Sequence, residues 1–345
     1  MSILHAFWKE LRVLRSVTLC SMVAVGCGSG SDVVQIDRLE RPNLWAVGGG
    51  ADLVAAQWYT YQGTATVDIF RQDASSPDRL LLVGSLPFTN GSSRVHDLAV
   101  TSDWLTVNWG GTVYLVSLAA APALAGAVSA AVPATLDRTV AKGAFLLTSE
   151  NPVLRLYSLA NPASPSLVSS YTPAVSMHAV AAVPGGFLAF GDGVFVTVSV
   201  AVGSGPVWAE RTEPKLPFSR KAVAVQGQIA VAGPGHVAGR SQIAKYDTTD
   251  LAAPRLVLSV DDLPVEYNEF SWDGGDTYVV AGIGSSSPGL NTSTLLVLRE
   301  AQGNLSQVAR SNVAPVYAAG DASLLHAWNR RLYVSAGALF GYRLP

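Results

Sequence analysis

Short apolar runs separated by turn-forming residues extend along most of the chain. A representative stretch reads His178-Ala-Val-Ala-Ala-Val, a Pro-Gly-Gly turn, Phe187-Leu-Ala-Phe, a Gly-Asp-Gly turn and Val194-Phe-Val-Thr-Val-Ser. Apolar runs of this length, bounded by Gly, Pro and Asp, are typical of β-strands joined in hairpins. The same layout recurs at 95–116 and 222–246. The pattern therefore predicts an all-β protein built from antiparallel hairpins.

The hairpins recur as seven copies of one unit, each recognised by an apolar marker residue. The markers are Ile69, Tyr114, Tyr157, Val198, Tyr246, Leu298 and Tyr342. Successive markers are separated by 41 to 52 residues, and a proline stands eight residues after each of the first five. A period of about 40–50 residues with strands in every unit is typical of β-propeller blades. The sequence thus predicts a single β-propeller of seven blades.

The ends of the chain suggest how the ring closes. The last copy, at 331–344, finishes at its third strand, whereas Val33–Arg38 is an isolated apolar stretch before the first copy. A propeller protects its strand edges when one terminus completes the blade that the other began. We expect Val33–Arg38 to be the outer strand of the last blade and residues 33–345 to form the propeller. The alternative is that Val33–Arg38 extends a flexible tether.

The first 26 residues have the features of a secretory signal. A basic start with Lys9, Arg12 and Arg15 precedes an apolar stretch at 17–25. That stretch is too short to span a bilayer, which needs about 20 apolar residues. We therefore expect residues 1–26 to be removed as a signal peptide.

The leader ends in Ala24-Val25-Gly26-Cys27. This ending resembles the lipobox of bacterial lipoproteins, and the resemblance implies cleavage before Cys27 and lipidation of its thiol. Residues 27–32 then read as a flexible Gly/Ser tether. Gly28 does not resemble the signal for inner-membrane retention, which favours an outer-membrane lipoprotein facing the periplasm or the cell surface. The alternative is an ordinary cleaved signal in which the cysteine is incidental.

Charge and cysteine content narrow the classes of function. The whole chain has a formal net charge of −2, and without the leader it carries 20 basic and 24 acidic residues. This balance argues against a nucleic-acid-binding protein, which normally has a basic face. The two cysteines are Cys20 and Cys27, so the mature chain keeps one thiol and cannot form an internal disulfide.

Two copies of the repeat share a proline-containing turn between strands. Residues 157–168 and 246–257 run from a strand into an Asn-Pro-Ala-Ser-Pro or Asp-Leu-Ala-Ala-Pro turn and out through Leu-Val. These copies resemble the LVIVD-repeat family. The first two copies match more loosely, and the sixth has Ser306 in place of the proline. The resemblance implies a secreted or surface-anchored bacterial propeller. Because the family has no shared catalytic motif, it assigns no catalytic residue.

Polar residues near the starts of the first strands form the candidate ligand site. The set consists of His96, Asp137, His178, Arg220, Glu269 and His326. In a propeller the first strand of every blade lines the central channel, so these side chains are expected to meet at one mouth. Such a set could bind an anion, a sugar or a divalent metal. The alternative is that these residues satisfy backbone groups and water in the channel.

These observations favour a monomeric, membrane-anchored binding or scaffolding module for a protein or glycan partner. They predict no cofactor and contact with the membrane through the lipid alone. A second hypothesis is a metal-assisted hydrolase or sugar-active lyase that uses the channel mouth. A quinoprotein dehydrogenase would need a cofactor pocket for which the chain shows no motif.

Overall fold

The described residues fold into seven antiparallel sheets of four strands each. The first strands are β2 (Leu44–Gly50), β6 (Val95–Val100), β10 (Arg138–Lys142), β14 (Met177–Val183), β18 (Val223–Gln226), β22 (Tyr267–Trp272) and β26 (Leu325–Trp328). The second strands are β3 (Leu53–Thr60), β7 (Trp104–Trp109), β11 (Phe145–Glu150), β15 (Gly186–Gly191), β19 (Ile229–Val237), β23 (Thr277–Gly282) and β27 (Arg331–Ser335). The third strands are β4 (Thr64–Gln72), β8 (Thr112–Ser117), β12 (Val153–Ser158), β16 (Val194–Ser199), β20 (Arg240–Asp247), β24 (Ser293–Ala301) and β28 (Leu339–Arg343). The fourth strands are β5 (Leu80–Phe88), β9 (Val128–Ala130), β13 (Ser166–Tyr171), β17 (Val207–Thr212), β21 (Arg255–Leu263), β25 (Asn304–Val313) and β1 (Val34–Leu39).

The structure is a computed structural model of the chain. It describes residues 33–39, 44–50, 53–60, 64–88, 95–109, 112–118, 128–132, 138–150, 152–191, 193–201, 203–213, 223–237, 240–263, 267–282, 293–313, 325–335 and 338–345. Within these ranges there is no helix with the length and hydropathy needed to cross a bilayer. The predicted leader, residues 1–26, and the predicted tether, 27–32, lie outside them.

The sheets are the blades of a seven-bladed β-propeller, as predicted. Blades 1 to 6 each use four consecutive strands, from β2–β5 to β22–β25, and blade 7 combines β26–β28 with β1. The first strand of each blade contacts the first strands of both neighbours, and β26 contacts β2 to close the ring. The first strands are therefore innermost and the fourth strands outermost.

Apolar layers between neighbouring blades form the core. Among the described residues there are seven clusters of buried apolar side chains, and each joins one blade to the next. Between blades 2 and 3, for example, Leu115 packs with Leu146 and Tyr157. Each sheet is thus buried on both faces, which is why its strands read as nearly continuous apolar runs with few charges.

All seven marker residues lie on third strands. The last five share one register position, illustrated by the row Ala141, Leu146 and Tyr157 across blade 3. In blades 1 and 2 this position is occupied by Phe70 and Val116 rather than by the predicted markers. The side chains in this position pack against the preceding blade, so the repeat period reflects contacts between blades.

The Leu-Val step of the repeat corresponds to a β-bulge in the outer strand. Leu167 pairs with Tyr157 and Ser169 pairs with Leu156, which leaves Val168 as the extra residue of the bulge. Val257 is the equivalent residue of blade 5. A bulge increases the local twist of a strand and interrupts its regular ladder. The outermost edge of these blades is therefore less able to pair with another strand.

The missing proline of the sixth copy has a structural cause. In blade 3 Pro165 immediately precedes the outer strand, where its lack of an N–H costs no ladder hydrogen bond. In blade 6 the connection is only Gln302-Gly303, with φ angles of 54° and 76°. Two residues with positive φ form a type I′ hairpin turn, which proline cannot adopt. Ser306 therefore falls inside β25.

The predicted closure of the ring is confirmed. Strand β1 pairs with β28 in antiparallel register, from Val34 opposite Arg343 to Leu39 opposite Leu339. The outer strand of blade 7 thus comes from the start of the propeller domain, one residue later than the predicted Val33–Arg38. An ion pair strengthens the junction, because Asp78 of blade 1 accepts from Arg331 Nε of blade 7 at 3.0 Å and also binds Arg343.

The antiparallel strands give the ring two distinct faces. The first and third strands end, and the second and fourth strands begin, on one face, here called the turn face. The first and third strands begin, and the second and fourth strands end, on the other face, here called the crossover face. The starts of the first strands are on the crossover face, whereas β1 begins on the turn face, opposite the end of β28.

Deletion of residues 33–39 tests the role of β1. The deletion removes the strand that covers Phe340 and Tyr342, which are buried in blade 7. We expect a loss of about 3 kcal/mol in the free energy of unfolding, since each large apolar side chain contributes about 1.5–3 kcal/mol on burial. Chemical denaturation followed by tryptophan fluorescence measures the change. Deletion of 28–32 is the control and should leave stability unaltered, and equal effects of the two deletions would contradict the closure.

Candidate functional site

The starts of several first strands carry a β-bulge at the crossover face. The second residue of the strand is the extra one in blades 1, 2, 4 and 6, at Trp45, His96, His178 and Asn268. A bulge redirects the side chain of the extra residue, and bulges are frequent next to binding sites. His96 and His178 therefore occupy equivalent positions, as the sequence predicted. The His178 side chain is half-buried, and the His96 side chain is outside the described part of the chain.

A chain of polar contacts links the first strands of blades 2, 3 and 4 beside these bulges. Asp97 Oδ2 accepts a hydrogen bond from the Thr139 amide at 2.7 Å, and Asp97 Oδ1 lies 3.4 Å from Arg138 Nη1. Arg138 Nε in turn donates to the backbone carbonyl of His178 at 3.0 Å. We call Asp97, Arg138, Thr139 and His178 the polar seam. It fixes the starts of three neighbouring strands relative to one another.

The charges of the polar seam are largely shielded from water. The side chains of Asp97 and Arg138 are 14% and 9% exposed. Burial raises the pKa of Asp97 above its ordinary value, although the Arg138 charge and the Thr139 amide favour the ionised form. The carboxylate and the guanidinium neutralise each other, so this pair positions backbone rather than supplying net charge at the mouth.

The other predicted site residues are distributed as follows. Glu269 lies on β22 at the register position of Asp97, directly after the bulge, and its side chain is outside the described part. Asp137 and Arg220 lie outside the described residues altogether. The structure thus brings His178 together with Asp97 and Arg138, neither of which belonged to the predicted set. A signal existed in the sequence, because the charged residues of blades 2 and 3 directly follow the predicted positions.

His326 lies in the interface between blades 7 and 1 and not in the polar seam. Its side chain is buried, and its ring stacks on Tyr333 with centroids 6.5 Å apart and an interplanar angle of 16°. On the other side it lies against the backbone of β2, where a Cβ added to Gly49 would be 2.1 Å from His326 Nε2. Among the described residues, Nε2 has no hydrogen-bond partner. Burial lowers the pKa of His326 to about 4.

The register explains why His326 differs from His178. Ala327 and Ala182 occupy equivalent positions next to the first hairpin of their blades. His326 directly precedes Ala327, whereas His178 precedes Ala182 by four residues. His326 is therefore deeper in its strand, at the level of Ser271 in blade 6, whose Oγ accepts from the Ala327 amide at 2.7 Å. Counting from the start of the apolar run does not reveal this difference.

The sequence analysis also allowed a divalent metal at the channel mouth. Among the residues whose side chains the structure describes, no group of three or more His, Cys, Asp or Glu side chains is arranged to hold a metal ion. The side chains of His96, Asp137 and Glu269 are not among them, so a divalent metal at the channel mouth stays a prediction.

Comparison with known proteins supports the fold alone. No protein-family model matches the sequence. A comparison with curated proteins gave no match either. Among solved structures, the WD40 domain of coronin from Toxoplasma gondii is similar, with a TM-score of 0.53 and 12% identity over 92% of this chain and 85% of that chain.

Two further structures show the same likeness. Sqt1 from Chaetomium thermophilum has a TM-score of 0.52 and 13% identity, over 91% of this chain and 100% of that chain. A protein from Lactobacillus plantarum has a TM-score of 0.52 and 13% identity, over 80% of this chain and 86% of that chain. At this level of identity the similarity is one of architecture.

A double-mutant cycle tests the polar seam. Asp97→Asn keeps an acceptor for the Thr139 amide but leaves the Arg138 charge buried without its partner. We expect a loss of about 3 kcal/mol in unfolding free energy, and the double variant Asp97→Asn/Arg138→Met should recover most of it. Arg255→Met is the control, because the Arg255–Asp247 pair is exposed and should contribute less than about 0.5 kcal/mol. Additive effects of Asp97→Asn and Arg138→Met would contradict the coupling.

The buried imidazole predicts a pH dependence of stability. The folded-state pKa of His326 is about 4, below the ordinary value of 6.5, so the unfolded state binds the proton first. Stability is therefore full above pH 6.5 and declines as pH falls towards 4, by about 2 kcal/mol between pH 7 and pH 5. Denaturation curves of wild type and His326→Leu measure the difference, which the variant should lack. Tyr333→Phe keeps the ring stack and should retain it; an unchanged pH slope in His326→Leu would contradict the assignment.

Proposed function

We propose that this chain is an extracytoplasmic binding module of a bacterial membrane, anchored through Cys27, which presents a protein or glycan partner with the crossover face of its ring. The main support for the proposal is that β1 begins on one face of the ring and the first strands begin on the other. The propeller begins at β1, whose start is on the turn face, whereas His96 and His178 are at the starts of first strands on the crossover face. A partner bound there would face away from the membrane.

The ring has the properties expected of a rigid scaffold. Apolar layers join every blade to its neighbours. Polar contacts between the blades fix how neighbouring blades align. Between blades 2 and 3, Trp104 Nε1 donates to the Gly143 carbonyl at 2.9 Å and the Gly143 amide donates to Asp103 Oδ2 at 2.9 Å. A scaffold that does not rearrange loses little conformational freedom when a partner binds.

The lipobox and the repeat resemblance support the cellular location. Ala24-Val25-Gly26-Cys27 implies acylation at Cys27, and Gly28 favours the outer membrane. The LVIVD-like turns at 157–168 and 246–257 favour a secreted or surface-anchored bacterial protein. The partner would then be a periplasmic or surface protein, or a glycan of the envelope.

Site-specific photo-crosslinking in cells tests the partner surface. Thr172 and Ala163 are both exposed and flank the same blade, but Thr172 is on the crossover face and Ala163 on the turn face. A benzophenone amino acid at position 172 should give a discrete crosslinked product, whereas position 163 should give none. Crosslinking from 163 alone, or the same product from both positions, would contradict the assignment of the face.

A further inference from the structure

Exposed apolar side chains lie where the two ends of the ring meet. Val34 of β1 is 48% exposed, and Leu81 and Leu82 of β5 are 41% and 52% exposed. Burial of large apolar side chains is normally favourable by about 1.5–3 kcal/mol each. Single exposed apolar residues are common on protein surfaces, whereas a group of them marks an interaction surface.

All three residues lie near the starts of the outer strands of blades 7 and 1, on the turn face. Val34 pairs with Arg343, whose guanidinium binds Asp78. Asp78 is three residues before Leu81 in the chain. The ion pair therefore joins the third strand of blade 7 to the turn before β5 of blade 1. Val34 lies next to Arg343 in its sheet, and Leu81 and Leu82 follow Asp78 in the chain. We call Val34, Leu81, Leu82 and Arg343 the closure rim.

The closure rim lies on the turn face, at the point where the chain arrives from the leader. Val34 is seven positions after Cys27, and a fully extended chain spans at most about 24 Å over seven positions. An acyl chain on Cys27 would thus hold the closure rim close to the lipid surface. Tethering of this kind gives a second, weak contact a high effective concentration.

We infer that the closure rim docks on the phospholipid surface beside the acylated Cys27, and that it tilts the ring so that the closure rim is the part of the turn face nearest the membrane. The inference rests on the proposed anchoring at Cys27 and adds a protein–lipid contact to it. Leu81, Leu82 and Val34 enter the interfacial region, and Arg343 and the exposed Arg79 lie beside the lipid phosphates. Weak membrane anchors commonly combine a lipid chain with such a second contact.

A second exposed apolar group provides a matched control. Leu167 of β13 is 55% exposed, and Val168 and Val207 on β13 and β17 are exposed as well. These residues also lie near the starts of outer strands, but in blades 3 and 4, away from the blade that contains β1. They match the closure rim in chemistry and differ from it in their distance along the ring from the lipid attachment. The inference predicts that they do not touch the membrane.

Fluorescence quenching in vesicles tests the inference on the full, acylated chain. The variants Leu81→Cys and Leu167→Cys are labelled with bimane and reconstituted into vesicles of phosphatidylethanolamine and phosphatidylglycerol that contain doxyl-labelled lipid. We expect a loss of fluorescence at position 81 and none at position 167. Leu82→Ser should reduce the loss at position 81, whereas Val168→Ser should leave it unchanged. Equal quenching at positions 81 and 167, or none at either, would overturn the inference.

Flotation of the same vesicles separates this inference from the anchoring on which it rests. Wild-type protein should float with the vesicles, and Cys27→Ala should not. If the wild type floats through Cys27 but position 81 is not quenched, the docking is wrong and the anchor stands. If the wild type fails to float, or Cys27→Ala floats equally well, the anchor is wrong and the docking falls with it.

Discussion

The whole architecture depends on apolar packing between neighbouring sheets. A single four-stranded blade of this chain has apolar side chains on both faces and cannot bury either of them alone. In the ring every blade covers one face of each neighbour, as Tyr157 does for blade 2 and Phe187 for blade 3. Each blade is thus stable only in the presence of two others. This requirement accounts for the few charges along the strands and for the closure by β1.

Polar groups between the blades set positions rather than supply the main stabilisation. Asp97 and Arg138 are largely withdrawn from water, and ion pairs of this kind recover little more than their desolvation cost. They fix the relative positions of the blades, because a carboxylate that accepts from the Thr139 amide permits one register between blades. The contact of Asp78 with Arg331 acts in the same way across the closure. Apolar layers hold the ring together, and the polar contacts fix how neighbouring blades align.

Much of the fold could be read from the sequence because contacts between blades repeat with the chain. The marker position faces the preceding blade, so the same kind of residue returns each time, as at Tyr157, Tyr246 and Tyr342. The predicted marker is wrong by one residue in blade 1, where Phe70 rather than Ile69 occupies the marker position. Both residues are apolar and buried, and only the pairing of strands shows which face of the sheet each one covers.

The candidate site was less predictable, because bulges and strand ends decide it. His96 and His178 were assigned to equivalent positions from their place in the repeat, and the bulges of β6 and β14 confirm that assignment. His326 follows an apolar residue in the same manner, yet it is three residues deeper and faces Gly49. Asp97 and Arg138 gain their role only when blades 2 and 3 meet. A contact between an aspartate of one blade and an arginine of the next has no counterpart in the repeated apolar positions, so the period of the sequence does not mark it.

The pairing of β1 with β28 has a consequence for how the molecule forms. Val34 and Arg343 lie at opposite ends of the domain, so the contact that closes the ring has the largest sequence separation in the fold. Contacts of this kind are slow to form, because the loop-closure entropy must be overcome before they are made. During synthesis β1 is the first strand of the propeller to emerge, and it must remain unpaired until the final strand follows. Up to that moment the edge of β28 and the apolar sides of blades 7 and 1 are open to aggregation.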